Sequence, residues 1–156
     1  MADTKLRARS AIQLLKEDHD TVKELFERFE DLEEGADARK SDLFERIKDE
    51  LTVHAQIEEE IFYPAISELD EEKVNEALEA HQRVKDLLRE LSAITPEDES
   101  FDEKMDALCE NVESHAEDEE KELFALFGKL PRAEREEITR RLADRKREIS
   151  GEGSAG

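Results

Sequence analysis

The sequence is poor in the residues that build disulfide-linked, β-sheet or membrane proteins. Its one cysteine, Cys109, excludes an internal disulfide and favours a reducing, cytoplasmic location. Aromatic residues make up 5% of the chain, and no alternating run rich in valine, threonine and tyrosine predicts a strand. No apolar run approaches the roughly 18 residues of a membrane span, and the N-terminal MADTKLRARS lacks a signal-peptide core. We therefore expect an all-α, cytoplasmic protein with no membrane partner.

Positive charge is also scarce. The 24 lysines and arginines face 45 aspartates and glutamates, which gives a formal net charge of -21. Such a surface repels phosphate backbones, so we expect no nucleic-acid partner. The apolar residues, 37% of the chain, recur at helical spacing, and this pattern indicates that the charge covers the solvated faces of long helices.

Glycine and proline are few, and they fall near the ends of the periodic segments. Ser10 is a plausible N-cap of the first helix, Ser41 lies near the start of the second helix, and Pro64 is a candidate kink near the end of the second helix. The predicted helices are 11–34, 40–67, 71–94, 99–127 and 132–149. Short connections favour an up-down-up-down antiparallel four-helix bundle with an additional short C-terminal helix. We expect one domain over 1–150 and a disordered tail over 151–156. The C-terminal helix either packs across the bundle or forms a homo-oligomer.

Each of the first four helices places one histidine in phase with its apolar stripe. If about a third of a helix surface faces the core, four independent placements coincide about one time in 80. Two glutamates lie four residues after a histidine, on the same helix face, where a buried carboxylate is costly unless a cation compensates it. The alternative is that these are core histidines bonded to neighbouring groups. The six candidate metal ligands are His19, His54, Glu58, His81, His115 and Glu119.

The spacing of these residues repeats. His19 and His54 are 35 residues apart, and His81 and His115 are 34 apart. The chain therefore resembles two similar helical hairpins, each giving His and then His-x-x-x-Glu. At about 1.5 Å per residue, all six candidates fall within about 8 Å along the bundle axis. Imidazole and carboxylate without thiolate suit iron, manganese or zinc, and six residues exceed the four that a structural zinc needs.

These motifs resemble the hemerythrin-like family, also called the HHE cation-binding domain. The resemblance covers about residues 8–128 and rests on EDHD at His19, HAQIE from His54, EAH at His81 and HAEDE from His115. It implies a four-helix bundle with two iron ions, a bridging oxo or hydroxo group, and Glu58 as well as Glu119 bridging the irons.

The sequence departs from the oxygen-carrying hemerythrins in two places. Lys85 stands where those proteins have a further histidine, and the last motif is H-x-x-x-E instead of H-x-x-x-x-D. About two coordination positions then stay open, which favours reaction with peroxide, oxygen or nitric oxide. We expect a catalase-like di-iron protein of reactive-oxygen defence. The alternatives are a protein that senses, carries or buffers oxygen, nitric oxide or iron (including iron donation for iron-sulfur repair) and a metal-free scaffold.

Several other polar residues lie near the candidates in sequence. Tyr63 could reach the centre as an additional ligand or radical donor, but it is out of phase with the stripe, so we expect it to pack in the core. Asn111, Asp118 and Glu122 could orient imidazoles, although the two acids are expected to face solvent. Cys109 is expected to be inert packing.

Overall fold

The computed structural model describes residues 10–155 and the side chains of residues 10–150. Within this range the chain is helical, without a strand. Its α-helices are α1 (Ala11–Glu30), α2 (Asp37–Ile57), α3 (Tyr63–Ile66), α4 (Glu71–Ser92), α5 (Phe101–Asp118), α6 (Phe124–Phe127) and α7 (Arg132–Ala155). The π-helical turn Glu58–Phe62 joins α2 to α3, and a second one, Glu119–Leu123, joins α5 to α6. The all-α prediction is confirmed.

Two predicted helix starts, at residues 11 and 71, are confirmed, and each is preceded by a capping residue. Ser10 caps α1 in a capping box with Gln13, and the Asp70 carboxylate accepts a hydrogen bond from the backbone of Lys73 at the start of α4. Helix α2 begins at Asp37, three residues before its predicted start, and Ser41 lies inside the helix near that end. Gly35, with φ of 86°, explains the earlier start: it takes a left-handed conformation that reverses the chain just before the helix.

The core consists of two apolar clusters on either side of the histidines. One cluster contains the starts of α1 and α4 together with residues 57–66 and 123–127 and part of α7. The other contains the end of α1, the middle of α2, the end of α4 and the start of α5. A layer of polar side chains separates the two clusters and includes buried His54, Glu58, His81 and Glu119.

Helix α7 packs across the bundle against α1, α2 and the first π-helical turn. Ile138 and Leu142 are buried in the first core cluster, and Ile149 packs against that cluster. The helix runs to Ala155, past its predicted end at residue 149. The prediction that this helix packs against the other helices of the same chain is therefore confirmed. Homo-oligomer formation and the division at residue 150 stay predictions.

In the described part of the chain, no helix combines the length and the apolarity that crossing a bilayer requires. On α4, the apolar side chain of Leu78 is 38% exposed, while that of Ala77 beside it is buried.

Candidate metal centre

The structure brings all six candidate ligands together. His19 comes from α1, His54 from the last turn of α2, His81 from α4 and His115 from α5. The two glutamates are the first residues of the two π-helical turns. The donor atoms form two groups, each with all atoms within 4.8 Å of one another: His19, His54, Glu58 and Glu119, and Glu58, His81, His115 and Glu119. Both glutamates belong to both groups, and this is the arrangement that two neighbouring cations sharing two carboxylates require.

The distances inside the groups fit a metal. His19 Nε2 lies 3.1 Å from Glu119 Oε1, and His81 Nε2 lies 3.1 Å from Glu58 Oε1. The Nε2 atoms of His81 and His115 are also 3.1 Å apart. Two ligands bound at about 2.1 Å and at a right angle to each other lie about 3.0 Å apart. The imidazoles and carboxylates therefore have the separations of neighbouring ligands around one ion.

Four buried polar atoms of the centre have no hydrogen-bond partner. They are Nε2 of His19, Nε2 of His54, Oε2 of Glu58 and Oε1 of Glu119, and all four residues belong to the first donor group. Both glutamates are fully buried. A buried carboxylate without compensation costs several kcal/mol, and unsatisfied buried acceptors add to that cost. Cations held by these atoms would remove both penalties, so the residues present fit the metal that the resemblance implies.

Three of the four imidazoles are held by a carboxylate on their outer nitrogen. The Nδ1–H of His54 donates to Asp18 at 2.9 Å, that of His81 donates to Glu59 at 2.7 Å, and that of His19 donates to Glu120 at 2.8 Å. A carboxylate only accepts hydrogen bonds, so each ring carries its proton on Nδ1. Nε2 then faces the centre and is the nitrogen left to bind a metal, as in metal-bound histidines.

The carboxylates also determine the titration of the site. Burial lowers the pKa of His54, but Glu58 and Asp18 outweigh burial and raise that pKa well above its ordinary value. Burial raises the pKa of Glu119, but the contacts with Glu58 and the histidines hold it well below the usual range. In the absence of a cation His54 therefore retains its added proton and Glu119 retains its negative charge. A bound metal would take the place of that proton.

The π-helical turns explain which side chains face the centre. In a π-helix the backbone hydrogen bond joins residues i and i+5, whereas in an α-helix it joins residues i and i+4. The side chain that lies one turn after residue i, on the same face, is therefore that of residue i+5. Tyr63 follows Glu58 by five positions and donates its N–H to the Glu58 carbonyl. Phe124 stands in the same relation to Glu119. Each turn thus adds one residue and brings an aromatic ring onto the face of its glutamate.

Tyr63 is buried in the first core cluster, as expected, and its hydroxyl also reaches the centre, which was the alternative. Its hydroxyl donates to Glu119 at 2.6 Å and lies 3.1 Å from Glu58, while the Nε2 atoms of His81 and His115 are 3.1 and 3.2 Å away. Burial, together with the two carboxylates, raises the pKa of Tyr63 well above its ordinary value, so the phenol keeps its proton. The five-residue interval from Glu58 was the only signal that could have revealed it.

The two halves of the centre are similar but not equivalent. Glu59 and Glu120 each follow a shared glutamate and hold the histidine at the start of the other hairpin. Tyr63 beside His81 corresponds to Phe124, whose ring stacks on His19 at 6.2 Å with an interplanar angle of 6°. Asp18 has no acidic counterpart, because Ala80 precedes His81. Among the described residues, no carboxylate holds Nδ1 of His115.

The other candidates lie away from the imidazoles. Asn111 donates to the carbonyl of Ala107, and Glu122 pairs with Lys73, while Asp118 is exposed as expected. Lys85 pairs with Glu59 at 2.9 Å and so contacts a carboxylate that holds His81. The orienting groups that the sequence analysis missed are Asp18, Glu59 and Glu120. Each adjoins a candidate ligand in the chain but contacts the imidazole of another helix, a relation that helical spacing alone does not reveal.

The fold and the centre together define a helical protein whose His/Glu cluster can hold metal cations. The sequence profile of the hemerythrin HHE cation binding domain matches residues 10–149, and the chain belongs to that family. A solved relative is a hemerythrin HHE cation binding domain-containing protein from Mycobacterium kansasii. It is 26% identical, superposes with a TM-score of 0.81, and the match covers 92% of this chain and 88% of the relative.

A curated relative is a DNA nickase from Nostoc sp. (strain PCC 7120). The two sequences are 32% identical over 114 residues, which make up 72% of this chain. The match spans only 32% of the nickase.

Proposed function

We propose that the chain is a di-iron protein of the up-down-up-down hemerythrin type that decomposes hydrogen peroxide. His19 and His54 would hold one ion and His81 and His115 the other, and Glu58 and Glu119 would contribute carboxylate oxygens to both. The observation that carries the proposal is the sharing of both buried glutamates between two compact donor groups. Manganese or zinc would fit the same donors, and iron is proposed because the chemistry requires a redox metal.

When bound, two iron ions supply a two-electron redox couple and positive charge at a shared site. The residues of the chain supply the rest. Asp18, Glu59 and Glu120 keep three imidazoles in the tautomer that offers Nε2. The Tyr63 hydroxyl holds a proton 2.6 Å from Glu119 Oε2, where it stabilises charge on the shared carboxylate and is placed to move a proton. Apolar clusters lie on both sides of the site.

The activity is tested by oxygen evolution from hydrogen peroxide with iron-loaded protein. His54→Ala removes a donor of the first group, and the rate should fall at least about 100-fold because one ion loses an imidazole. Asn111→Ala is the matched control, since its side chain bonds to the Ala107 carbonyl and not to the centre. The proposal fails if His54→Ala evolves oxygen at the wild-type rate.

A second candidate function is the storage or donation of iron. The observation that favours it is the unequal support of the two groups: a carboxylate holds Nδ1 of both imidazoles in the first group, whereas only His81 has this support in the second. One ion should then leave faster than the other. Chelator-driven release measured by stopped-flow absorbance should be biphasic with equal amplitudes, and a single slow phase would count against donation.

The activity named for the Nostoc relative is not part of this proposal. The matched region is about a third of that protein, and a net charge of -21 opposes contact with a phosphate backbone.

A further inference from the structure

A polar groove of about 240 Å³ lies between α4 and α5 and reaches the second donor group. His115 and Glu119 both line it, and His115 also lines a cavity of about 420 Å³ beside the four histidines. Glu119 is fully buried and keeps its Oε1 atom without a hydrogen-bond partner, so it marks the inner end of the groove. The groove therefore ends at two of the proposed metal ligands.

Acidic side chains outnumber basic ones along the rest of the groove. Its other charged residues are four carboxylates and two cations: Glu76, Glu79, Asp118 and Glu122, with Lys73 and Arg83. Lys73 pairs with Glu122 at 3.2 Å, so three carboxylates face the one remaining cation. Those three, Glu76, Glu79 and Asp118, are exposed. The groove is thus net negative and attracts cations from solution.

The volume of the groove matches a hydrated divalent cation. A water molecule takes up about 30 Å³ in the liquid, so the six waters around an octahedral ion take up about 180 Å³. The groove has room for an iron(II) ion that still carries water, with protein ligands at the inner end to replace that water.

The corresponding place on the first hairpin is blocked by a cation. A groove there reaches His54, but Asp18 holds Nδ1 of that ring and accepts a hydrogen bond from Lys146, whose ammonium group repels a second cation. On the second hairpin Ala80 stands in place of Asp18 and lines the groove between α4 and α5. That groove therefore leads to His115, whose ring no carboxylate among the described residues fixes from outside.

The cavity of about 420 Å³ is a less favourable path for a cation. Glu59 on its lining pairs with Lys85, and Glu60 pairs with Arg145, so these carboxylates already have cations. A hydrated ion gains no compensation for lost water from apolar side chains, and five of them form much of the wall. They are Val22, Leu51, Val84, Leu88 and Val112.

We propose that iron enters and leaves the centre through the groove between α4 and α5, past His115. The inference rests on the proposed di-iron centre and adds the route by which its metal is exchanged. The second donor group is then the one that fills and empties faster.

Uptake of iron(II) by the chelator-stripped full chain tests the role of the charge. Glu76→Gln combined with Glu79→Gln removes two exposed carboxylates of the groove and should slow uptake about threefold or more at low ionic strength. The matched control, Glu33→Gln with Glu34→Gln, makes the same charge change in the connection between α1 and α2 and should keep the wild-type rate. The iron(II) left in rapidly quenched samples is measured with a colorimetric chelator.

Release of iron from the loaded chain to excess chelator tests the path itself. Ala80→Leu narrows the groove from α4 and should slow the faster phase of release about tenfold or more, because the added side chain must move aside before an ion can pass. Val84→Phe narrows the larger cavity from the same helix and should leave release unchanged. Circular dichroism and iron content identify the variants that fold, and the exposed glutamate positions require no repacking.

The outcomes separate this inference from the proposed activity. Uptake at the wild-type rate by the Glu76→Gln, Glu79→Gln protein overturns the route, as does wild-type release from a folded Ala80→Leu protein or slower release from Val84→Phe than from Ala80→Leu. A chain that exchanges iron as expected but evolves no oxygen from peroxide supports the route, and only the peroxide activity then fails. A chain that takes up no iron overturns both.

Discussion

The Tyr63 hydroxyl lies beside the histidines of the second donor group and donates its proton to the shared Glu119, whereas Phe124, which has no such proton, occupies the equivalent place near His19. The substitution Tyr63→Phe removes this hydroxyl and should preserve iron binding, because all six proposed ligands remain. Oxygen evolution from peroxide should fall about 100-fold, which is the usual contribution of a positioned proton donor. Steady-state rates at matched iron content measure the effect. An unchanged rate would limit Tyr63 to packing, as the sequence suggested.

Cys109 is expected to be unreactive in the folded protein. Burial, with Glu113 nearby, raises the pKa of its thiol from the ordinary 9.0 to about 12. Because only the thiolate attacks disulfides, that shift lowers the reactive fraction at pH 8 about a thousandfold. Titration with a chromogenic disulfide reagent should be very slow in buffer and complete within seconds in denaturant. Fast reaction of the native protein would contradict the burial of this side chain.

The sequence predicts the position of some residues of the centre but not of others. His19, His54, His81 and His115 were predictable because each lies in phase with an apolar stripe of period 3.6. The position of Tyr63 was not predictable, because the π-helical turn before it shifts the helical phase by one residue. No local composition predicts such a turn, since Pro64 follows the first turn but no proline follows the second.

At the scale of elements, α7 supports the centre from outside the bundle. Lys146 of α7 donates to Oδ1 of Asp18, whose Oδ2 holds His54. Burial raises the pKa of Asp18, but His54 and Lys146 outweigh burial and lower it, so the carboxylate stays charged. The C-terminal helix therefore fixes the orientation of a proposed ligand through one intermediate side chain.

Lys146→Met should weaken iron binding about 10-fold or more, because Asp18 then has one buried oxygen without a partner and holds His54 less firmly. Arg147→Met is the control, since Arg147 is on the same helix and 78% exposed. Iron retention against increasing chelator measures both. Equal retention by the two variants would show that α7 only packs against the bundle.

Element boundaries were predictable to within a few residues where a cap is present, as at Ser10 and Asp70. The start of α2 was predicted too late, because the turn at Gly35 rather than a serine cap determines it. The role of α7 stayed open between packing and association, since its stripe of Ile138, Leu142 and Ile149 suits either surface.

At the scale of the whole molecule, the internal repeat was the most informative feature of the sequence. Two hairpins with nearly equal spacing predicted a centre with pseudo-twofold symmetry, and the structure places the two donor groups around shared Glu58 and Glu119. The differences between the halves depend on contacts between hairpins, such as Glu120 with His19 and Glu59 with His81, and no periodicity within one helix encodes these contacts.

The sharing of the glutamates is the central claim, and elemental analysis of freshly purified, iron-supplemented protein tests it most directly. Wild type should contain about two iron ions per chain. His19→Ala should retain about one, because it removes a ligand of one ion only, whereas Glu119→Ala should lose both, because its carboxylate serves both. A wild-type protein with less than about one metal per two chains, or a Glu119→Ala protein that keeps both ions, would contradict the account.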